Sequence, residues 1–222
     1  MPSRRQDSSR VTGPIESDLL ATLRAEGVRT PRLLEAVRTV PRAKFVPEDA
    51  VDLAYHDVPL RIPHDQVTTQ PSLVAKMVDA LGLTGTELVL EVGTGYGWQT
   101  ALLARLAREV WSIERWPDLA ETARDNLSRH GAENVTVLVG DGTEGLAEQA
   151  PFDAILVSAA FPAVPDPLTE QLAVGGRLVQ PIGPGGADDV VLFERRPDGL
   201  VKRRTITGAR FVRLVGRRAF RP

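Results

Sequence analysis

Leu88-Val-Leu-Glu-Val-Gly-Thr-Gly-Tyr-Gly-Trp98 constrains this chain more than any other stretch. Apolar and β-branched positions run straight into glycines at 93, 95 and 97. A helical pattern, Gln99-Thr-Ala-Leu-Leu-Ala-Arg-Leu-Ala-Arg108, follows at once. The spacing predicts a buried strand, a tight turn and a helix, the layout of a nucleotide-type ligand site. Glycine lets the backbone turn sharply and lets a ligand approach the main chain, which a Cβ would obstruct. The helix start adds unpaired N–H groups and positive potential.

The dinucleotide fingerprint G-x-G-x-x-G requires glycine at 98, where this chain has Trp98. The stretch instead reads E-x-G-x-G-x-G from Glu91, and resembles the S-adenosylmethionine-dependent methyltransferases, whose glycine loop faces the methionine end of the cofactor. A second strand, Glu109-Val-Trp-Ser-Ile-Glu114, ends in an acid placed to accept hydrogen bonds from ribose hydroxyls. Trp98 is expected to pack on the helix.

The rest of the chain supplies an α/β frame. At 222 residues and 42% hydrophobic it can bury a sizeable core, expected as one domain over 15–222 behind a disordered tail, 1–14. Helices are expected from Ile15 to Gly27 and over Pro31–Arg38, as part of an N-terminal cap and substrate loop over 15–70. The cofactor-binding core is placed at 71–222. Residues 48–71 show little periodicity, and Pro71 opens an amphipathic helix with Leu73, Val74, Met77 and Leu81 on one face. Thr69 just before it reads equally as a helix N-cap. Further strands are expected at 134–140, 152–158 and 177–182, and a hairpin at 189–194 and 201–206 around Asp198-Gly199. Arg210–Leu214 is expected to end the ordered part. The fold class is therefore α/β, a Rossmann-like, mostly parallel seven-stranded sheet with helices on both faces and antiparallel strands at one edge. Ligands in such a sheet bind beyond the carboxyl ends of the strands, which gathers Gly93–Gly97, Glu114, Asp141-Gly142 and Ser158-Ala159 around one crevice. Asp141 is expected either to accept from an adenine amino group or to serve as a turn residue.

Composition narrows the partners. A net charge of −2 gives no basic field for a nucleic acid. With no cysteine there is no disulfide framework and no thiolate chemistry, which suits a cytoplasmic location. No apolar run is long enough to cross a membrane.

Over nearly all of 15–222 the chain resembles the protein-L-isoaspartate O-methyltransferase family. The matching words include Val40-Pro-Arg, Phe45-Val-Pro47, Gln66–Pro71, Glu91-Val-Gly-Thr-Gly95, Ser112-Ile-Glu-Arg115, Gly140-Asp-Gly142, Ala159-Ala160 and Arg210-Phe-Val212. The resemblance implies methyl transfer from S-adenosylmethionine, leaving S-adenosylhomocysteine, onto the free α-carboxylate of an L-isoaspartyl residue. The ester then collapses to a succinimide that reopens partly to aspartate. A carboxylate is ionised at neutral pH and a sulfonium is an activated leaving group, so neither general base nor metal is required. Thr69 takes the place of the family's active-site serine. Thr68, Glu91, Gly93, Thr94, Gly95, Gly97, Glu114, Arg115, Asp141, Gly142 and Ser158 are expected around the cofactor. His64, Gln66, Gln70, Ala159, Arg210, Phe211 and Val212 are expected around the acceptor. A monomer acting on a protein or peptide is implied.

Several positions depart from the family pattern on the acceptor side. Gln66-Val-Thr-Thr69 replaces Gln-Thr-Ile-Ser, Pro63 and Asp65 replace glycines, and Arg213 replaces a proline. They point to a divergent member; Asp65 would repel an anionic acceptor if it faced the site, and Arg213 could instead attract a carboxylate. The alternatives are a dedicated peptide aspartate, a small-molecule acid, or a non-catalytic cofactor-binding module.

Overall fold

The computed structural model describes residues 14–221. The tail expected at the N-terminus falls almost wholly outside the described residues. Nine strands and six α-helices follow in chain order: α1 (Pro14–Ala25), α2 (Pro31–Thr39), β1 (Leu60–Ile62), β2 (Gln66–Thr68), α3 (Pro71–Leu81), β3 (Leu88–Val92), α4 (Trp98–Leu106), β4 (Glu109–Glu114), α5 (Pro117–Arg129), β5 (Val135–Val139), β6 (Phe152–Val157), α6 (Asp166–Gln171), β7 (Leu172–Ile182), β8 (Asp188–Arg196) and β9 (Gly199–Ala209).

The main sheet has the order β5-β4-β3-β6-β7-β8-β9. Its first five strands are parallel, and β8 and β9 are antiparallel additions at one edge. The order reverses at β3, so the crevice at that strand's carboxyl end is the expected ligand site. β3 has neighbours on both sides and reads as an unbroken buried run, as a central parallel strand must. Alternate residues feed two cores. Val89, Ala154 and Leu156 pack beneath α1–α5, whereas Leu90, Ile155 and Val157 pack beneath α6 and the segment around Leu214. The second face thus has much thinner helical cover.

Three details shape the site. Pro71 starts α3 and Gly82, at φ 58°, stops it, as proline and glycine do at those ends. The segment 60–68 forms a small separate hairpin, β1 on β2, which the sequence pattern did not announce. Its turn places His64 at φ 62° and Asp65 at φ 55°. A left-handed residue at 65 explains why glycine suits that place in the family, and Asp is among the better-tolerated alternatives.

Order also extends beyond Leu214, contrary to expectation. The Gly216 N–H donates to the Phe220 carbonyl (2.9 Å), and Phe161 meets Phe220 edge to face. Among the described residues no helix is long and apolar enough to cross a membrane.

Candidate active site

The glycine loop has the geometry its spacing predicts. Gly93, Gly95 and Gly97 lie at φ 94°, 56° and 92°. A Cβ on Gly93 would meet Ser158 Cβ at 3.4 Å, and one on Gly97 Leu127 Cγ at 3.4 Å, both ordinary contacts, so the positive φ is what calls for glycine. The loop opens onto a cleft of about 490 Å³, within the range of small-molecule sites. Gly93–Gly97, Thr68, Thr69, Gln66, Glu114, Arg115, Gly142, Ser158 and Ala159 all line it.

Glu114 ends β4 with its carboxylate already organised. Oε2 accepts from the Gly95 N–H (2.9 Å), and Oε1 from the N–H groups of Arg115 (2.8 Å) and Trp116 (3.1 Å). Glu114 lines the cleft, and the lone pair left on Oε2 can accept from a ribose hydroxyl. This acid beside the loop, with three glycines lining the same cleft, fits S-adenosylmethionine.

Glu91 lies deeper than expected. It is fully buried, does not line the cleft, and accepts from Gln99 Nε2 (2.9 Å), Thr100 Oγ1 (2.5 Å) and Ser112 Oγ (2.5 Å). The β3–β4 register sets Ser112 directly beside it. Burial pushes its carboxyl up to about 7, against the three hydrogen bonds, and the Glu114 charge adds to the rise. Glu91 therefore shapes the cleft through its neighbours. Thr94 belongs to the same network, its hydroxyl 2.6 Å from Ser112 Oγ.

Asp141 is also turned away. Oδ1 accepts from Thr143 N (3.0 Å) and Oγ1 (2.6 Å), and Oδ2 from the Arg217 N–H (2.7 Å). These bonds outweigh partial burial and hold its pKa below the usual carboxylate value. Asp141 thus caps the turn before Gly142, the turn role expected of it, and anchors the C-terminal segment. That segment closes one side of the cleft with Val215 and Arg221.

A second cleft, of about 390 Å³, lies against the first. Gln70, Arg210, Phe211 and Val212 line it, as do Asp57, Lys76 and Thr207. Val67, Thr69, Ser158 and Val212 line both clefts and so form a throat between them. Val212 is placed by the post-β6 loop: the Ala160 N–H donates to its carbonyl (2.8 Å), and the Leu214 N–H donates back to Ala160 (2.8 Å). Thr69 is not a helix cap. The capping position is Gln70, and the Asp57 carboxylate accepts the Ser72 N–H in its stead (2.8 Å).

Other expected acceptor residues are not in this second cleft. Gln66 and Ala159 line only the cofactor cleft. His64 lines neither; it stacks on Trp116 (centroids 4.0 Å apart) and bonds Asp118 (2.9 Å), clasping the hairpin to α5. Asp65 is exposed and lines neither cleft, so the expected repulsion has no geometric basis. Arg213 is drawn to the Pro184 carbonyl (3.1 Å) and the Phe220 ring, away from the acceptor cleft. Arg210 is the cation left there beside Lys76, which pairs with Glu26. Trp98 packs as expected, buried with Nε1 donating to the Val40 carbonyl (3.2 Å).

Sequence reasoning passed over Arg42. Its guanidinium is 1% exposed and donates to the carbonyls of Ala54 (2.7 Å) and Thr69 (3.1 Å) and to Thr68 Oγ1 (3.0 Å). Burial depresses its pKa to about 10, with the Asp57 charge opposing. Arg42 ties the end of β2 and Thr69 just after it to the N-terminal segment. The word Val40-Pro-Arg signalled the residue, not its burial.

The sequence profile of the protein-L-isoaspartate(D-aspartate) O-methyltransferase family matches residues 15–219. The chain belongs to that family. It is 50% identical over 196 residues to the protein-L-isoaspartate O-methyltransferase of Syntrophus aciditrophicus, covering 87% of this chain and 90% of the relative. To that of Anaeromyxobacter dehalogenans it is 51% identical over 190 residues, covering 85% and 91%. A solved protein-L-isoaspartate O-methyltransferase superposes with a TM-score of 0.80 at 29% identity, covering 92% of this chain and 67% of the other. A Plasmodium falciparum structure of the same name, in complex with S-adenosyl-L-homocysteine, shares the fold: TM-score 0.76, 23% identity, 90% and 98% coverage. Identities near one half correct the expectation of a divergent member. The substitutions at 63–69 are local variation on the family's site.

Among the described residues no cluster of three or more His, Asp or Glu could hold a metal.

Proposed function

We propose that this protein methylates the free α-carboxylate of L-isoaspartyl residues in proteins and peptides, with S-adenosylmethionine as donor. The carrying observation is the throat: one cleft fits the donor, the other receives the acceptor, and Val67, Thr69, Ser158 and Val212 wall the passage.

Bound in the first cleft, the cofactor supplies an activated methyl group and a neutral thioether as leaving group. A carboxylate oxygen forms the new O–CH3 bond as the S–CH3 bond breaks, and the electron pair goes to sulfur. No proton moves. The protein's work is alignment and exclusion of water. The glycine loop and Glu114 fix the donor. Thr69, whose carbonyl accepts from Arg42, lines the throat and brings a hydroxyl-bearing side chain to it. Val67 and Val212 keep the throat dry. Arg210 places a cation in the acceptor cleft, where Lys76 is paired with Glu26 and Asp57 also lines the wall. Monomeric state and cytoplasmic location complete the proposal; light scattering and cell fractionation check them.

The deciding assay supplies labelled S-adenosylmethionine with an isoaspartyl peptide and its aspartyl twin. Labelling of the isoaspartyl peptide alone is expected. Equal labelling, or none, would refute this reading.

A further inference from the structure

The throat holds a second hydroxyl whose polarity is set from behind. Gln99, 8% exposed in the first turn of α4, donates through Nε2 to Glu91 Oε1 (2.9 Å) and to Ser158 Oγ (2.8 Å). Glu91 fixes which way the amide faces. Its Oε2 is taken by Thr100 and Ser112, so Oε1 is the acceptor left for Gln99. A proton on Oε2 would leave that arrangement intact. Both hydrogens of the Gln99 amide are thereby used, and Ser158 Oγ is an acceptor in this contact. Its own hydrogen is left to point into the throat. Ser158 stands against the cofactor loop, 3.4 Å from where a Cβ on Gly93 would lie.

What can accept that hydrogen follows from what meets there. The donor offers a sulfonium and a methyl group, neither of which accepts a hydrogen bond. The incoming acceptor offers an anionic carboxylate, which accepts strongly. We infer that Ser158 donates to the non-attacking oxygen of the acceptor carboxylate, and that Gln99 is the positioning residue that holds it as a donor, anchored on Glu91. Thr69 and Ser158 then grip the carboxylate from the two sides of the throat and leave one lone pair aimed at the methyl carbon.

The inference rests on the proposed isoaspartyl acceptor and assigns Ser158 to the acceptor instead of the cofactor. A hydroxyl bound to a carboxylate interacts less strongly as the charge disappears during transfer, so it should act on acceptor binding more than on turnover.

The test measures isoaspartyl-peptide methylation kinetics and S-adenosylhomocysteine affinity for wild type, Ser158→Ala, Ser158→Thr, Gln99→Leu and the Ser158→Ala/Gln99→Leu double variant. Ser158→Ala is expected to raise the peptide KM about tenfold or more, with a smaller change in kcat and an unchanged cofactor Kd. Ser158→Thr, which keeps the hydroxyl, is expected to restore the KM. Because Gln99 acts through Ser158, the double variant should be no worse than the worse single. Should Gln99→Leu fail to fold, the two Ser158 variants decide alone. A cofactor Kd that weakens along with the peptide KM would make Ser158 a cofactor ligand and overturn the inference. So would an unchanged peptide KM in Ser158→Ala while the wild type is active. A wild type inactive on the peptide overturns the isoaspartyl reading and this inference with it.

Discussion

Glu91→Gln isolates the energetic consequence of placing a carboxyl at the centre of the sheet. In the folded protein burial raises its pKa from the ordinary 4.5 to about 7. The folded state therefore keeps a proton on Glu91 over a range where the unfolded chain has released it. Between these values the native state binds more protons than the unfolded state, so stability falls as pH rises. The contribution is fully present below pH 4.5 and is lost as pH passes about 7. A displacement of that size corresponds to about 3 kcal/mol. Glutamine is nearly isosteric, can accept from Gln99 through its oxygen, and can donate to the Thr100 or Ser112 oxygen. It does not titrate. Urea unfolding of wild type and Glu91→Gln from pH 4 to pH 8 subtracts every other titrating group from the comparison. Wild-type stability relative to the variant is expected to fall by about 3 kcal/mol across the window. A flat difference, or one that rises with pH, would mean that the three donors hold the carboxylate ionised and that the burial argument is wrong.

Glu114→Ala removes the acceptor for ribose hydroxyls and is expected to weaken cofactor binding by about 1–3 kcal/mol, measured by calorimetry; unchanged affinity would contradict the ribose role. Thr69→Ala is expected to lower methylation of the isoaspartyl peptide while leaving cofactor affinity near wild type, and a wild-type rate would reduce Thr69 to a wall of the throat. Arg42→Leu abolishes the bonds that tie Thr68 and Thr69 to the N-terminal segment, leaving buried carbonyls without donors. It is expected to destabilise the fold by about 3 kcal/mol or more in denaturant unfolding, and no loss would show that water replaces the guanidinium.

The core of the fold was legible because its signals are local. β3, the glycine loop and α4 are written as a continuous apolar run, three permissive residues and a helical repeat. β4 and its terminal acid follow the same logic, and the observed span Glu109–Glu114 matches the pattern. The β8–β9 hairpin was visible through Asp198-Gly199, though both strands run longer than their alternation suggests. What stayed hidden depends on distant partners. The β1–β2 hairpin has strands of three residues, too short for a period to show. Asp141 followed by Gly142 could not announce that its carboxylate would be claimed by the Arg217 N–H, far along the chain. Arg42 carries a charge that composition places on the surface; only the converging carbonyls of a nonrepetitive segment make burial tolerable.

The same contrast explains how this site tolerates substitutions beside its most specific segment. A reaction without proton transfer asks its residues for orientation rather than for a particular pKa. Orientation here comes from buried supports: Arg42 behind Thr69, Gln99 on Glu91 behind Ser158, and the Ala160 strand contact behind Val212. Each support lies outside the 63–65 turn. That turn is instead fastened by the His64–Trp116 stack and the bond to Asp118, at the rim of the cofactor cleft. Pro63 and Asp65 can therefore replace the family's glycines while the groups at the throat keep their aim, whereas Val67 puts an apolar side chain into the throat wall itself. A polar side chain lost from the turn changes the rim, whereas one lost from the supports changes the angle at which the carboxylate meets the methyl group.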